Sequence, residues 1–241
     1  MLRDIGTIIR KELSEWFGAS SKRSRFTLLI FAGMFGVVMP LQSGGEWTTS
    51  AVSVFSLSWL PFILVASTIA DSVAGERERH TLETLLASRV PDGALFFGKL
   101  LASMIYAVGQ LWLIALLGAI TTNIAFWSGR VTFFPPGMFA GIVFAPVLVA
   151  GLAAGTGILV SMRAPTARAA YQSLTIAIFI VALPLFLIGF IPDSARAWLT
   201  ERTAGVSVST IVVLAAVALL AVDATLITVA RLRFRRGRLE L

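Results

Sequence analysis

A chain of 241 residues that is 57% hydrophobic and only 14% charged, with a mean hydropathy of +0.86, lies far outside the range of soluble domains. At about 20 residues for each crossing of a hydrocarbon core about 30 Å thick, it holds about six or seven spans and leaves no room for a soluble catalytic domain. The lack of cysteine excludes disulfides, thiolate metal sites and sulfur redox chemistry, and the net charge of +7 must be located along the chain before it can be read.

Residues 1–25 are polar by the standard of the remaining chain. Ile5, Ile8, Ile9, Leu13, Trp16 and Phe17 nonetheless recur at helical spacing between Arg10, Lys11, Glu12 and Glu15, the pattern of a helix lying in the membrane interface. The first apolar run begins only near Phe26 with no small-residue cleavage site after it, so no signal peptide is expected. A first span is placed at about 26–42, stopping at Pro40 and the SGGE turn. The second covers 51–74 with Pro61 inside, a residue tolerated in lipid where neighbours satisfy the carbonyl it frees. A charged stretch at 75–90 comes next, and Pro91 and Asp92 then open a third span reaching about Asn123.

WSGR and FFPPG form the next connection. A fourth span at about 137–161 and a fifth at about 168–190, containing Pro184, are separated by the short RAPTAR stretch. Residues 191–207 are too polar to cross and predict a short helix from Ser194 to Thr203, before a last span at 208–230 and a basic tail at 231–241. The fold expected is an all-α integral membrane protein, a single transmembrane domain over residues 1–241, with spans 1–2 in 26–74 and spans 3–5 in 91–190.

Lys and Arg test this arrangement. Six precede the first span, none falls in 43–50, four lie in 75–99, one in 124–136, two in 162–168, two in 191–207 and five after 230. Seventeen of the twenty therefore sit on one side, which orients both termini and the 75–90 stretch into the cytoplasm. Bases so dispersed do not form a nucleic-acid-binding face; the arginines of the tail suit anionic membrane lipids.

The stretch GERERHTLETLLASRV holds the only histidine. After Gly75, Leu82, Leu85 and Leu86 recur at i, i+3 and i+4 while Glu76, Arg77, Glu78, Arg79 and Glu83 take other faces, predicting a short amphipathic helix. It can be a solvated linker with pairs such as Glu76 with His80 or Arg79 with Glu83, or a surface for a partner. Gly93 to Lys99 spells G-x-x-x-x-G-K, but Leu100 stands where a P-loop needs Ser or Thr and no strand precedes it. A lone histidine with no cysteine nearby predicts neither a metal site nor a proton relay.

Asp223 inside the last span, and Asp71 at the end of the second, are intramembrane carboxylates and functional candidates on cost alone. Structural pairing of Asp223 with Arg231, Gln110 or Asn123, and plain interfacial exposure of Asp71, are the alternatives. Phe55, Trp59 and Phe62 form an aromatic stripe on the second span, and Phe179, Phe186 and Phe190 one on the fifth. Gly137 with Gly141, and Gly151 with Gly155, are small-xxx-small spacings suited to close helix packing.

The run from Glu76 to Ser88 resembles the E-R-E-x-G-T-L-E-x-L-L-x-S/T-P signature of ABC-2-type permeases, the membrane subunits of ATP-binding-cassette exporters. Arg10-Lys11-Glu12-Leu13 before the first span, six spans and an external segment before the last are similar to that family over essentially the whole chain. The resemblance implies an elbow helix at the N-terminus and a coupling helix at 76–88 that docks on a separate ATPase, present in two copies. ATP and Mg are expected on that partner, with no cofactor bound by this chain. Glu76, Arg77, Glu78, Thr81, Leu82, Glu83, Leu85 and Leu86 are the implied coupling residues, with Thr81, Leu82 and Glu83 matching the T-L-E core. The second and fifth spans would line a pathway between two permease subunits, a homodimer or related heterodimer, making Phe55, Trp59, Phe62, Phe179 and Phe186 pathway candidates. His80 departs from the usual glycine and Arg89 from the frequent proline. The implied place is the plasma (inner) membrane, multi-pass. The alternative is an ion-coupled secondary transporter or channel using Asp71 and Asp223; an intramembrane enzyme lacks its motifs, and the E-A-A loop of importers is absent from the sequence.

Overall fold

The computed structural model describes residues 1–17, 22–81, 89–187 and 207–234, and among these helix is the only regular structure. The expected helix at 194–203, and Phe190, lie outside the described residues, as does the tail beyond Phe234.

Helix α1 (Leu2–Phe17) is the amphipathic segment expected from its spacing, and it lies along the first half of α6 (Asp92–Ala125). Ile8 is seated on Gly98, where a Cβ would come within 2.6 Å of its Cγ2. The rings of Trp16 and Phe17 pack on Tyr106 at 5.3 and 5.1 Å.

The first apolar helix ends at Gln42, before the SGGE turn as expected, with Pro40 inside its last turn. Helix α2 (Lys22–Gly33) continues through a π-helical turn (Met34–Val38) into α3 (Met39–Gln42), which contains Pro40. Proline supplies no N–H to the carbonyl four residues back. That carbonyl, on Gly36, instead accepts a hydrogen bond from Thr121 Oγ1 at 2.7 Å. The same solution recurs in α7 (Pro136–Arg163): Pro146 leaves the Ile142 carbonyl free, and Trp112 Nε1 donates to it at 3.3 Å. Gly45, with φ of +93°, turns the chain into a 3₁₀ turn (Glu46–Thr48) that buries Trp47.

Helix α4 (Ala51–Ala70) starts at Ser50, whose Oγ accepts from the Val52 amide at 3.2 Å, and runs through a π-helical turn (Asp71–Gly75) into α5 (Glu76–Glu78). Helices α8 (Ala167–Leu187) and α9 (Val208–Arg233) lie beyond α7 in the chain. Among the described residues four helices are long and apolar enough to cross a membrane: Ala51–Glu78, Asp92–Ala125, Pro136–Arg163 and Ser209–Arg233. Phe26–Gln42 is a shorter apolar helix.

Helices α4 and α7 form the central pair, with α6 against both and α8 against α4. In lipid no hydrophobic force drives helices together, so close approach over small residues takes its place. Gly157 of α7 receives Ile69 of α4, while Gly151 and Gly155 face α9, where a Cβ on Gly155 would stand 3.1 Å from Leu226 Cβ. Gly141 does the same against Val54 of α4, whereas Gly137 faces no close neighbour among the described residues. One core cluster surrounds Leu64, Val65, Ile69, Phe96 and Ile158, and a second surrounds Trp47, Leu57, Leu111 and Ile114 nearer the opposite end. Helix α9 rests mainly on α7 among the described residues and leaves Ile211 to Leu214, Val217, Leu220 and Val229 exposed.

Candidate functional site

The four consecutive charged residues Glu76 to Arg79 reach four different parts of the molecule. Arg77 donates from Nη1 to the Ala164 carbonyl at 2.8 Å and from Nη2 to that of Met162 at 3.1 Å. These are carbonyls left without helical partners at the end of α7, and a cation is favoured there. Glu78 Oε2 accepts from the Ala167 amide at 3.1 Å, an orphan donor at the start of α8 where an anion is favoured. Together the two side chains clamp the turn between α7 and α8 from both sides.

Arg79 forms a two-pronged pair with Asp71, at 3.1 and 3.0 Å, and the hydrogen bonds to that carboxylate hold its guanidinium above the ordinary range. Asp71 is therefore a paired carboxylate at the charged end of α4. Both side chains are about half exposed, so the pair is worth at most about 1 kcal/mol. The space its carboxylate fills lies beside Gly75, where any Cβ would collide with it.

Glu76 turns inward. Its Oε1 lies 2.8 Å from Lys99 Nζ, which also donates to Glu12 Oε1 at 3.0 Å. Glu76, Lys99 and Glu12 are 7%, 3% and 5% exposed, so α5, α6 and α1 meet on one buried ammonium. Lys11 Nζ adds a second positive charge 3.3 Å from Glu12 Oε1 and 4.0 Å from Glu76 Oε1, and it also reaches Glu15 at 3.2 Å. Desolvation pushes the Glu12 carboxyl up, but Lys99 and Lys11 outweigh it and hold the group below the ordinary glutamate range. Desolvation likewise opposes the charge on Lys11, yet Glu12, Glu15 and Glu76 raise it above the usual lysine value. Glu76 Oε2 is buried and has no hydrogen-bond partner among the described residues.

The π-helical turn before Glu76 is held by one hydroxyl. Ser161 Oγ of α7 donates to the Ala70 carbonyl at 3.0 Å and accepts from the Val73 and Ala74 amides at 3.3 and 3.0 Å. A buried π turn leaves backbone groups out of register, and Ser161 supplies partners for three of them.

The expected helix over 76–88 is corrected at its start. Glu76–Glu78 finish the long apolar helix that begins at Ala51, and the helix stops there in a Schellman arrangement. The Thr81 amide donates to the Glu76 carbonyl at 2.9 Å and the His80 amide to that of Arg77 at 3.1 Å, with His80 at φ +55°. Glycine is the residue that adopts this conformation freely, which gives a physical reason for a glycine in the signature at this position. Thr81 Oγ1 adds a bond to the Glu76 carbonyl at 3.2 Å. Leu82, Glu83, Leu85 and Leu86 lie outside the described residues. Arg79 takes Asp71 and Glu76 takes Lys99 as partners, whereas sequence spacing alone offers them Glu83 and His80.

The sequence pattern of the ABC-2 family transporter proteins matches residues 37–201, more than half of the chain, and this stretch contains the whole clamp from Asp71 to Ala167. The chain belongs to the ABC-2 family transporter proteins. A comparison with curated proteins found no match. The chain is thus a multi-pass membrane component of a transporter, and the family to which it belongs is a permease component, not itself an ATPase.

In this ABC-2 permease the aromatic stripe of α4 runs from surface to interior. Phe55 is exposed, Trp59 half-buried and Phe62 buried, with successive ring centroids 6.3 and 6.4 Å apart. Phe179 of α8 is exposed, and the side chain of Phe186 lies outside the described residues. Phe55 and Phe179 are open to a second subunit or to lipid, whereas Phe62 is core.

Asp223 of α9 is 6% exposed and sits against Gly151, where a Cβ would come within 2.7 Å of Oδ2. Its Oδ1 has no hydrogen-bond partner among the described residues. The partners considered for it are engaged or turned elsewhere. Arg231 lies over the Phe97 ring at 5.3 Å, and Asn123 holds the backbone of Thr132 at 2.7 Å. Buried Gln110 has its own Oε1 without a partner among the described residues.

Lys99 and Ser161 are the residues of this site that motif and spacing do not single out, and Glu12 is quoted in the N-terminal motif without its partner Lys99. In the sequence Lys99 stands out only as the last letter of a false P-loop. A lysine two turns inside an apolar helix is itself a signal, because such a charge demands an acidic partner.

Proposed function

We propose that this chain is the transmembrane permease subunit of an ABC exporter, driven by ATP hydrolysis in a separate ATPase through the segment at 76–88. Six spans, counting α2 with α3 as the first and α8 as the fifth, leave both termini and that segment in the cytoplasm. An elbow helix at α1 and a pathway at a dimer axis, lined from α4 and α8 with Phe55 and Phe179, complete the reading. ATP and Mg belong to the partner.

The observation that carries it is the set of attachments of Glu76 to Arg79. A segment whose side chains hold α1, α6, the end of α7 and the start of α8 delivers any displacement to every one of those helices at once. A solvated linker has no such attachments. The ion-coupled alternative needs Asp71 and Asp223 on one route, and their different surroundings favour the permease reading: Asp71 is tied to Arg79 and Asp223 is lodged against Gly151.

The test is co-expression with an ABC ATPase encoded beside it, then purification and assay of ATP hydrolysis in nanodiscs. The ATPase is expected to copurify, and Glu83→Arg to lose it from the membrane fraction. Full retention of the ATPase with unchanged hydrolysis in Glu83→Arg overturns the coupling role.

A further inference from the structure

The segment at Glu76 has two routes into the membrane region. One is its own backbone, through the π-helical turn into α4. The other is the buried cluster, through Lys99 to α6 and Glu12 to α1. The first route contains the one stretch of the Ala51–Glu78 helix that departs from α-helical register. Its carbonyls and amides are out of α-helical register, three of them are satisfied by the Ser161 hydroxyl, and π turns recur where helices bend in function. The second route is stiff. Two carboxylates converge on the Lys99 nitrogen, all three side chains are at least nine-tenths buried, and each charge is stranded in low dielectric unless it moves with its partners.

We propose that Lys99 is a positioning residue of the coupling stroke: by holding Glu76 and Glu12 on one ammonium it makes α1 move with the segment that starts at Glu76, while the π-helical turn yields. This rests on the permease reading above and adds the route of motion. The apolar seat of Ile8 on Gly98 and of Trp16 on Tyr106 ties α1 to α6 but not to the segment, so among the described residues the charged cluster is what joins all three.

Because the sequence has no cysteine, introduced pairs report alone. Spin labels at Arg10→Cys on α1 or Arg89→Cys at the end of the segment, each paired with Ser128→Cys on the connection between α6 and α7, give two distances. Both are measured in the complex with its ATPase, without nucleotide and trapped with ATP and Mg. In the parent both distances are expected to shift. In the variant with Lys99→Met, Glu12→Gln and Glu76→Gln the α1 shift should collapse into the measurement error while the Arg89 shift persists. Replacement by Lys99→Arg should retain both. Where the triple variant fails to assemble, Glu12→Leu with Lys11→Met, which removes both contacts of α1 with the cluster, carries the same comparison. Persistence of the full α1 shift in the neutralised variants overturns the role of Lys99 and leaves the permease reading standing. Absence of any Arg89 shift in the parent overturns the permease reading itself.

Discussion

Glu12 is the residue whose chemistry makes the sharpest measurable statement. Its carboxyl, held below the ordinary value of 4.5 by Lys99 and Lys11, contributes stability that is fully present above that value and is lost as pH falls through its lowered pKa. Thermal unfolding in detergent across pH 3 to 7, a range spanning roughly the carboxylate region, should show an acid limb that Glu12→Gln flattens. His80 points the other way. A side chain at φ +55° costs about 1 kcal/mol in backbone energy, and glycine gives back part of this through its own entropy. His80→Gly should therefore raise the unfolding midpoint by a small margin, read by the same assay, and a clear fall would mean that the imidazole makes a contact of its own. The oddity of His80 is legible in the sequence as a departure from a pattern. Its reason is not, because only the hydrogen bonds from His80 and Thr81 reveal a helix stop where leucine spacing predicts a helix start.

Among the elements, the π-helical turn at Asp71–Gly75 is the one that sequence spacing has no means of showing. Nothing in DSVAG distinguishes it from another turn of α-helix; the cause sits 88 residues away in Ser161. Ser161→Ala should strand two amides and a carbonyl, a loss of about 1–3 kcal/mol for each buried group left unsatisfied, and hydrogen exchange at Val73 and Ala74 should accelerate. Exchange unchanged at both amides would show that the turn holds itself. The prolines are readable to a point. That neighbours cover a freed carbonyl follows from lipid chemistry alone; that Thr121 and Trp112 do it follows only from knowing which helices touch. Long apolar runs bring the described spans within a few residues of their expected positions, whereas the second span reaches Glu78, past the last apolar residue, since Glu76 is buried on Lys99 and not in water.

For the whole molecule, the charge distribution predicts sidedness. Arg3→Cys should react with an impermeant maleimide only in inverted vesicles and Ser128→Cys only in right-side-out ones; the reverse pattern would invert the proposed topology. Charge counting yields an expected orientation but not the clamp, because opposite charges that sit 23 and 87 residues apart in sequence carry no local mark of their pairing. Helix α9 bears a last consequence, one that concerns how the chain is made. Asp223 at mid-helix costs about 2.5–3.5 kcal/mol when a span enters lipid alone, and the strip of α7 at Gly151 is the surface on which it is buried. Being synthesised after α7, it can enter the bilayer against a groove already waiting. Glycosylation-mapped insertion should therefore find α9 less efficient as an isolated segment than in the full chain, and Gly151→Leu should bring the full chain down to the isolated level.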